Sequence, residues 1–195
     1  MKIEKSLSTS VNLPAINWSC YNHNGQLLVT AAVDGCIRLF DTRTGDCISS
    51  WSAHQGEIYS AMFSVDQTTC YTIGADSKFI QWSIHNTGQQ LSSTSLHQGA
   101  VGPFVFTGHG GYRQVQTPKG KLFALESEGQ HLLTCAPTGA QMYKINKDGS
   151  LLRSLYLGGH RSPVVTVDWS PVADCRLCLS GSMDGRVRVS SVIPP

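Results

Sequence analysis

The sequence predicts an all-β protein built from repeated groups of short antiparallel strands. Only 14% of its 195 residues are charged, against about 25% in typical soluble domains, and 19 residues are glycine. Short alternating or wholly apolar stretches are separated by turn-forming residues, and apolar residues nowhere recur at helical spacing over several turns. The length is sufficient for one domain with a hydrophobic core.

One stretch of nine residues recurs along the chain. The sequence VDGCIRLFD at residues 33–41 has counterparts in ADSKFIQWS, 42 residues later, and in MDGRVRVSS near the C-terminal end. A weaker copy, TGAQMYKIN, overlaps GQHLLTCAPTG at residues 129–139, which aligns without a gap on GQLLVTAAVDG upstream. The chain therefore contains four copies of one repeat.

A histidine-containing turn leads into an apolar strand in three places. The turns are HQGEIYSAMFS from His54, HQGAVGPFVFT from His97 and HRSPVVTVDWS from His160. The second repeat has four strand-like stretches, at residues 58–64, 69–73, 79–83 and about 89–95. A four-stranded antiparallel unit of about 42 residues that repeats radially is a β-propeller blade, so we expect about four blades.

The chain resembles the WD-repeat β-propeller family over residues 15–192. The second repeat has the fullest family signature, which consists of His54, Thr72, Asp76 and Trp82. In that family the histidine bonds both the aspartate and the hydroxyl, and the hydroxyl meets the tryptophan N–H. The resemblance therefore implies a hydrogen-bonded tetrad that ties the turns of one blade together.

The other repeats keep parts of this tetrad. Repeat four has His160, Ser180 and Asp184 but carries Ser190 where tryptophan would stand. The corresponding sets are Thr30, Asp34 and Phe40 in repeat one, and His97, Thr134 and Thr138 in repeat three. Because a partial tetrad must satisfy its buried polar atoms elsewhere, we expect these blades to be held less tightly.

The chain is shorter than a usual family propeller, which has seven blades and about 300 residues at this period. We expect blades at approximately 15–53, 54–96, 97–159 and 160–193, with 1–14 as an outer strand or linker of a preceding blade. The last repeat stops after its third strand at VRVSSVIPP, where proline cannot extend a ladder. We therefore expect a partial propeller, an incomplete ring that belongs to a longer protein or is a truncated product without independent function. A closed four-bladed ring is the alternative.

The third repeat carries an insertion of about 20 residues beyond the period. The stretch GPFVFTGHGGYRQVQTPKGKLFALESEG holds strong loop signals, so we expect part of it to project as an extra hairpin. Insertions in propellers often bind partners. The candidate contacts are one aromatic and three cationic side chains, Tyr112, Arg113, Lys119 and Lys121. The alternative is a solvated loop with a packed tyrosine.

The insertion and the order of the segments around it resemble one endosomal branch of the WD-repeat family in particular. That resemblance implies a non-enzymatic scaffold in the cytoplasm, peripheral on early and late endosome membranes through its partners. The implied partners are a late-endosomal Rab GTPase, for which the chain would be an effector, and the class III phosphatidylinositol 3-kinase complex, which it would regulate negatively. Its role would be in early-to-late endosome conversion.

A second resemblance lies at the end of the first recurring stretch. Residues Phe40 to Arg43 resemble the WDxR box of substrate receptors of cullin-RING ubiquitin ligases, in which Asp41 and Arg43 would contact the adaptor. Such receptors commonly carry a second box on the next blade, where this chain reads WSIH from Trp82 and does not match. The alternative is that Arg43 is a solvated turn cation.

Enzymatic chemistry is not expected. His54, Thr72 and Asp76 are the residue types of a hydrolytic triad, but the set recurs in other repeats inside a packed sheet. A catalytic nucleophile must instead be exposed beside an oxyanion site. Phosphate-binding loops and the HExxH zinc motif are missing from the sequence. We therefore expect no catalytic residue and no cofactor.

Charge and cysteine content favour proteins as partners. The net charge is +2 with scattered Lys and Arg, which gives no basic patch for nucleic acid. No apolar run approaches the roughly 20 residues of a transmembrane helix. The seven cysteines lack disulfide spacing, and the CxxC pair Cys175 and Cys178 lacks a second ligand pair, so we expect reduced thiols in the core and no metal.

Overall fold

The computed structural model describes residues 14–101, 104–107, 113–116, 120–172 and 175–192. These residues form 17 β-strands, and no α-helix occurs among them. The chain divides into two compact units, Met1–Leu91 and Ser92–Pro195. The all-β class that the sequence predicts is confirmed, and both units contain blade-type sheets.

The first unit contains two four-stranded sheets whose strands follow one another in chain order. Blade 1 consists of β1 Ile16–Tyr21, β2 Leu27–Ala32, β3 Cys36–Asp41 and β4 Cys47–Ser52. Blade 2 consists of β5 Ile58–Phe63, β6 Thr69–Gly74, β7 Lys78–Ser83 and β8 Gln90–Ser95, which extends beyond the first unit. The strands of blade 2 end within one residue of the stretches predicted for the second repeat.

The second unit contains a hairpin and two further sheets. The hairpin consists of β9 Phe104–Thr107 and β10 Arg113–Gln116. Blade 3 consists of β11 Phe123–Leu125, β12 His131–Ala136, β13 Gly139–Ile145 and β14 Leu151–Gly158. Blade 4 has three strands within the described residues, β15 Val164–Trp169, β16 Leu177–Ser182 and β17 Val187–Ser191.

In the first two blades the second and third strands are the most buried. In β6 and β7 five of six residues are buried, so these inner strands are covered on both faces. In β4 and β8 exposed residues alternate with half-buried ones, as expected for outer strands with one face in water. A core cluster of the first unit includes the fully buried Val29, Ile37 and Ile58. Largely buried inner strands and alternating outer strands therefore produce the layered blade.

The recurring turn has the same local structure in blades 1, 2 and 4. One carboxylate oxygen of the turn aspartate accepts a hydrogen bond from the backbone N–H two residues later, at 3.0 Å for Asp34, 3.2 Å for Asp76 and 3.0 Å for Asp184. The next residue has a positive φ, 75° at Gly35 and 57° at Ser77. Glycine adopts this conformation without steric cost, and the carboxylate satisfies the turn backbone.

Blade 3 departs from the ungapped sequence alignment by one residue. The turn between β12 and β13 has two residues, where the turn between β2 and β3 has three. Thr134 therefore pairs with Gln141, and Tyr143 takes the position that Trp82 has in blade 2. Because strand side chains alternate between faces, a slip of one residue changes which side chain points into the blade.

The insertion of the third repeat contains a hairpin of its own, as its loop signals predicted. Strands β9 and β10 form a separate two-stranded antiparallel sheet in which Arg113 pairs with Thr107. Tyr112 and Lys119, two of the candidate partner residues, lie outside the described residues. The predicted outer strand at residues 1–14 also falls almost wholly outside them.

The structure also locates the cysteines. All seven are free, as the sequence predicted. The expected core position is wrong for Cys175, which is exposed and precedes β16, whereas Cys178 is buried within that strand. Within the described ranges, no helix has the length and apolar character needed to cross a membrane.

Gly35→Ala and Gly185→Ala form a matched pair that separates backbone strain from steric clash. The two glycines follow turn aspartates and have nearly the same φ, 75° and 76°. A Cβ at Gly35 would lie 2.5 Å from the backbone oxygen of His54, whereas nothing lies within 4 Å of a Cβ at Gly185. We expect about 1 kcal/mol of destabilisation in both from the positive φ. Gly35→Ala should lose about 1–3 kcal/mol more from the clash.

The measurement is denaturant unfolding of each variant, with the loss of structure monitored by circular dichroism. Equal losses of unfolding free energy in the two variants would contradict the steric part of this account.

Candidate functional site

Four side chains of blade 2 form a connected hydrogen-bond network, the blade 2 tetrad of His54, Thr72, Asp76 and Trp82. Nδ1 of His54 lies 2.8 Å from Oδ1 of Asp76, and its Nε2 lies 2.8 Å from Oγ1 of Thr72. Nε1 of Trp82 donates to the same threonine oxygen at 3.0 Å. The structure thus brings together the four residues that the family resemblance implied.

The strands of blade 2 fix the positions of these side chains. Thr72 lies in the middle of β6 and Trp82 near the end of the neighbouring strand β7, so the two meet across the hairpin. His54 enters from the turn that precedes β5. A Cβ at Gly74 would lie 2.6 Å from Cγ of the His54 ring, so glycine is required there for the imidazole to fit. The sequence reasoning missed this role of Gly74.

The proton positions in the blade 2 tetrad follow from its chemistry. A carboxylate can accept but not donate, so Nδ1 of His54 carries the proton that it donates to Asp76. Nε2 then accepts from the Thr72 hydroxyl, whose oxygen in turn accepts from Trp82. Burial lowers the pKa of His54, and the hydrogen bond to Asp76 opposes that shift. A neutral imidazole therefore satisfies every polar group of the network.

The blade 2 tetrad is joined to the hydrophobic core through its tryptophan. Trp82 is buried and belongs to the core cluster of the first unit. Its ring centroid lies 6.1 Å from that of Trp51, with an angle of 52° between the ring planes. Tilted aromatic pairs at this separation add to the free energy of apolar burial. The indole thus links the polar network to core packing.

Blade 4 has a looser version of the network. Nε2 of His160 lies 2.9 Å from Oγ of Ser180, but its Nδ1 is 3.6 Å from Oδ2 of Asp184. That distance is too long for a good hydrogen bond, and Nδ1 has no other partner in the described part of the chain. Asp184 instead accepts from the backbone N–H of Arg161 at 3.0 Å, which lowers its pKa.

Blade 1 replaces the tetrad with an ion pair. Asp34 accepts from Nη2 of Arg38 at 2.6 Å, and this hydrogen bond lowers the pKa of the Asp34 carboxyl. Arg38 pairs with Thr30, whose buried hydroxyl has no partner among the described residues. Phe40 stands in the tryptophan position and has no N–H to donate. Asp34 is therefore a turn stabiliser, and sequence reasoning missed its partner Arg38.

Blade 3 has a stacked histidine and tyrosine at this place. Nδ1 of His97 lies 2.7 Å from Oη of Tyr143, and the ring planes are inclined by only 26°. Thr138, which stands in the aspartate position, bonds the hydroxyl of Tyr156 at 2.7 Å. Thr134 donates to the backbone oxygen of its strand partner at 3.4 Å. An alignment that allowed a shorter turn would have found Tyr143.

The sets that combine histidine, hydroxyl and carboxylate lie inside the blades. Thr72 is fully buried and Ser180 is buried as well, so neither hydroxyl is open to a substrate. Within the described ranges, no group of three or more His, Cys, Asp or Glu side chains is arranged to hold a metal ion. The networks are thus arranged to fix turns against strands.

Two of the predicted partner residues have contacts within the chain. Lys121 donates to Oδ1 of Asp168 at 2.5 Å. Oδ1 of Asp41 accepts from the backbone N–H groups of Thr44 and Arg43, at 3.1 and 2.8 Å, and these bonds lower the pKa of Asp41. Arg43 itself is exposed at the turn. Asp41 therefore stabilises the turn, and this role does not require an adaptor protein.

Asp76→Ala should destabilise the first unit by about 1–3 kcal/mol, because it leaves the buried Nδ1–H of His54 without an acceptor. Asp184→Ala should cost less, because His160 makes no good hydrogen bond to that carboxylate. The measurement is denaturant unfolding of both variants. An unfolding curve unchanged by Asp76→Ala would show that the network contributes nothing to stability.

We expect stability to fall as the pH drops below about 6.5, the ordinary histidine pKa. Burial lowers the pKa of both His54 and His97 in the folded protein. The unfolded chain then binds protons that the folded chain does not, so stability is full above the unfolded pKa and is lost as the pH falls through it. His97→Gln should reduce the slope of melting temperature against pH.

The control for the pH experiment is His85→Gln, which changes an exposed histidine and should leave the slope as it is. An unaltered slope in His97→Gln would refute the assignment of this pH dependence to His97.

Known families match two parts of the chain. Residues 6–85 match the Anaphase-promoting complex subunit 4 WD40 domain, and residues 149–189 match the WD domain, G-beta repeat. The crystal structure of the Myceliophteria thermophila Cps50 (Swd1) β-propeller domain is similar, with a TM-score of 0.65 and 15% identity. The match covers 90% of this chain and 53% of that chain, and at this identity it shows the fold alone. The predicted β-propeller fold is confirmed.

The chain is also similar to longer curated proteins. It is 54% identical over 180 residues to WD repeat-containing protein 91 of Xenopus tropicalis, covering 92% of this chain and 24% of that protein. The Pongo abelii protein of that name is 52% identical over 194 residues, and the match covers 99% of this chain and 27% of that protein. The Dictyostelium discoideum homolog is 31% identical over 192 residues, and the match covers 98% of this chain and 23% of the homolog. The chain spans about a quarter of these relatives. It belongs to the WD-repeat β-propeller family.

Proposed function

We propose that the chain contributes the blades of a non-enzymatic interaction scaffold to the conversion of early into late endosomes. In this role it forms part of the binding surface for a GTP-loaded late-endosomal Rab GTPase. Through the same assembly it acts on the class III phosphatidylinositol 3-kinase complex, whose activity it restrains. It works in the cytoplasm, peripheral on early and late endosome membranes, where its partners hold it.

The observation that carries this proposal is the similarity to WD repeat-containing protein 91 over nearly the whole chain. The aligned region takes in the insertion of the third repeat, which ordinary blades lack. An insertion that blade packing does not require is a candidate for recognition.

The structure supports a scaffold in a second way. The insertion hairpin is a sheet separate from the blade sheets, and it carries Arg113 at the start of β10. Because this sheet does not belong to a blade, its residues are not required for blade packing. The hairpin is therefore our candidate for Rab contact.

Arg113→Glu should weaken capture of the GTP-loaded Rab by the immobilised 195-residue chain at least about fivefold, the effect expected of one contact residue. The wild-type chain should retain more of the GTP-loaded form than of the GDP-loaded form. Capture is measured by quantitative blotting of the retained Rab.

The matched control is Arg186→Glu, which makes the same charge change at an exposed site in the turn after β16. This variant should capture the Rab as the wild type does. Equal capture of the GTP-loaded and GDP-loaded forms by the wild-type chain would show that this region does not recognise the Rab.

A further inference from the structure

The second unit contains a cavity of about 510 Å³ between blades 3 and 4. Blade 3 contributes the turn before β12 together with side chains of β13 and β14. Blade 4 contributes the end of β15, the segment before β16 and the residue after β17. A cavity of this volume is typical of sites that bury a small ligand or one or two side chains of a peptide.

Part of the cavity wall is apolar. Met142, Leu155, Trp169 and Val192 line it. Met142 and Trp169 are buried, whereas Leu155 is 43% exposed, which is high for a leucine beside a buried indole. Such a wall can cover the aliphatic stem of a long side chain while the charged end of that side chain stays near water.

Carboxylates lie on the blade 3 side of the cavity. Oε2 of Glu126 is 2.5 Å from Nδ1 of His131, which leaves the other oxygen of that carboxylate for a ligand. Glu128 is exposed, and its side chain has no hydrogen bond or ion pair within the described residues. An apolar wall that leads to two carboxylates is complementary to a cation on an aliphatic stem.

The blade 4 side has an unsatisfied donor and a strained residue. Nε1 of Trp169 is buried and has no hydrogen-bond partner among the described residues. Arg176 has a φ of 45°, in the left-handed region that disfavours a residue with a Cβ, and its carbonyl accepts from the N–H of Val192 at 2.9 Å. Unpartnered buried donors and strained residues occur preferentially at functional sites.

We propose that this cavity binds a lysine or arginine side chain of an extended segment in a partner protein. The stem of that side chain lies against Leu155 and Trp169, and its cationic end reaches Glu126 and Glu128. Arg176, on the blade 4 side, faces the backbone carbonyls of the bound segment. The site goes beyond the endosomal proposal, because it specifies a ligand chemistry on a surface separate from the insertion hairpin.

The test uses capped Gly-Leu-X-Leu-Gly peptides in which X is lysine, norleucine or glutamate, added to the ¹⁵N-labelled 195-residue chain. The chain has four tryptophans and therefore four indole N–H signals, and Trp169→Phe assigns the relevant one. We expect the lysine peptide to shift the Trp169 signal and to bind at least about tenfold more tightly than the other two peptides.

Glu128→Lys should weaken binding of the lysine peptide by about tenfold and should strengthen binding of the glutamate peptide. Glu57→Lys makes the same charge change in the first unit and should leave the affinities unchanged. Equal affinity for lysine and norleucine peptides, preference for glutamate, or an unshifted Trp169 signal at millimolar peptide would each overturn the proposal. Neither peptide nor variant involves the Rab, so the two proposals fail independently.

Discussion

The blades depend on satisfying polar atoms that the turns place between the inner strands, where water cannot reach them. In blade 2 His54 meets this requirement with an aspartate on one nitrogen and a hydroxyl on the other. In blade 1 Arg38 bonds Asp34, and in blade 3 Tyr143 bonds one nitrogen of His97, but the buried Thr30 hydroxyl and Nε2 of His97 have no partner among the described residues. The blades thus meet one requirement to different degrees and with different side chains, while their sheets remain alike.

Local patterns predicted much of the fold. The 42-residue spacing, the Asp-Gly turns and the alternation of apolar residues are properties of short stretches, so they identified the strands of blade 2 to within one residue. The blade 2 tetrad was implied by the resemblance of the second repeat to the WD-repeat family, and not by spacing alone. Arg38 was missed because its pairing with Asp34 depends on side-chain reach, and Tyr143 because strand register is set by turn length.

The surfaces assigned to binding lie apart from the blade networks. The insertion hairpin has its own sheet, and the cavity of the second unit combines Glu126, Leu155 and Trp169, which are far apart in sequence. No local pattern could have joined these three residues, since their proximity follows from the packing of two blades. The residues proposed for binding are thus not those of the blade hydrogen-bond networks, so either set can change while the other is kept.

The two-residue turn of blade 3 also matters for engineering repeat proteins. If the three-residue turn of blade 1 replaced residues 137–139 of blade 3, as the ungapped alignment suggests, the pairing of β13 would shift by one residue and its side chains would change faces. Lys144 would then face His97 in place of Tyr143, and a cation would enter the blade interior. Blades of this chain are consequently not interchangeable cassettes, and any exchange between them must preserve strand pairing before it preserves sequence alignment.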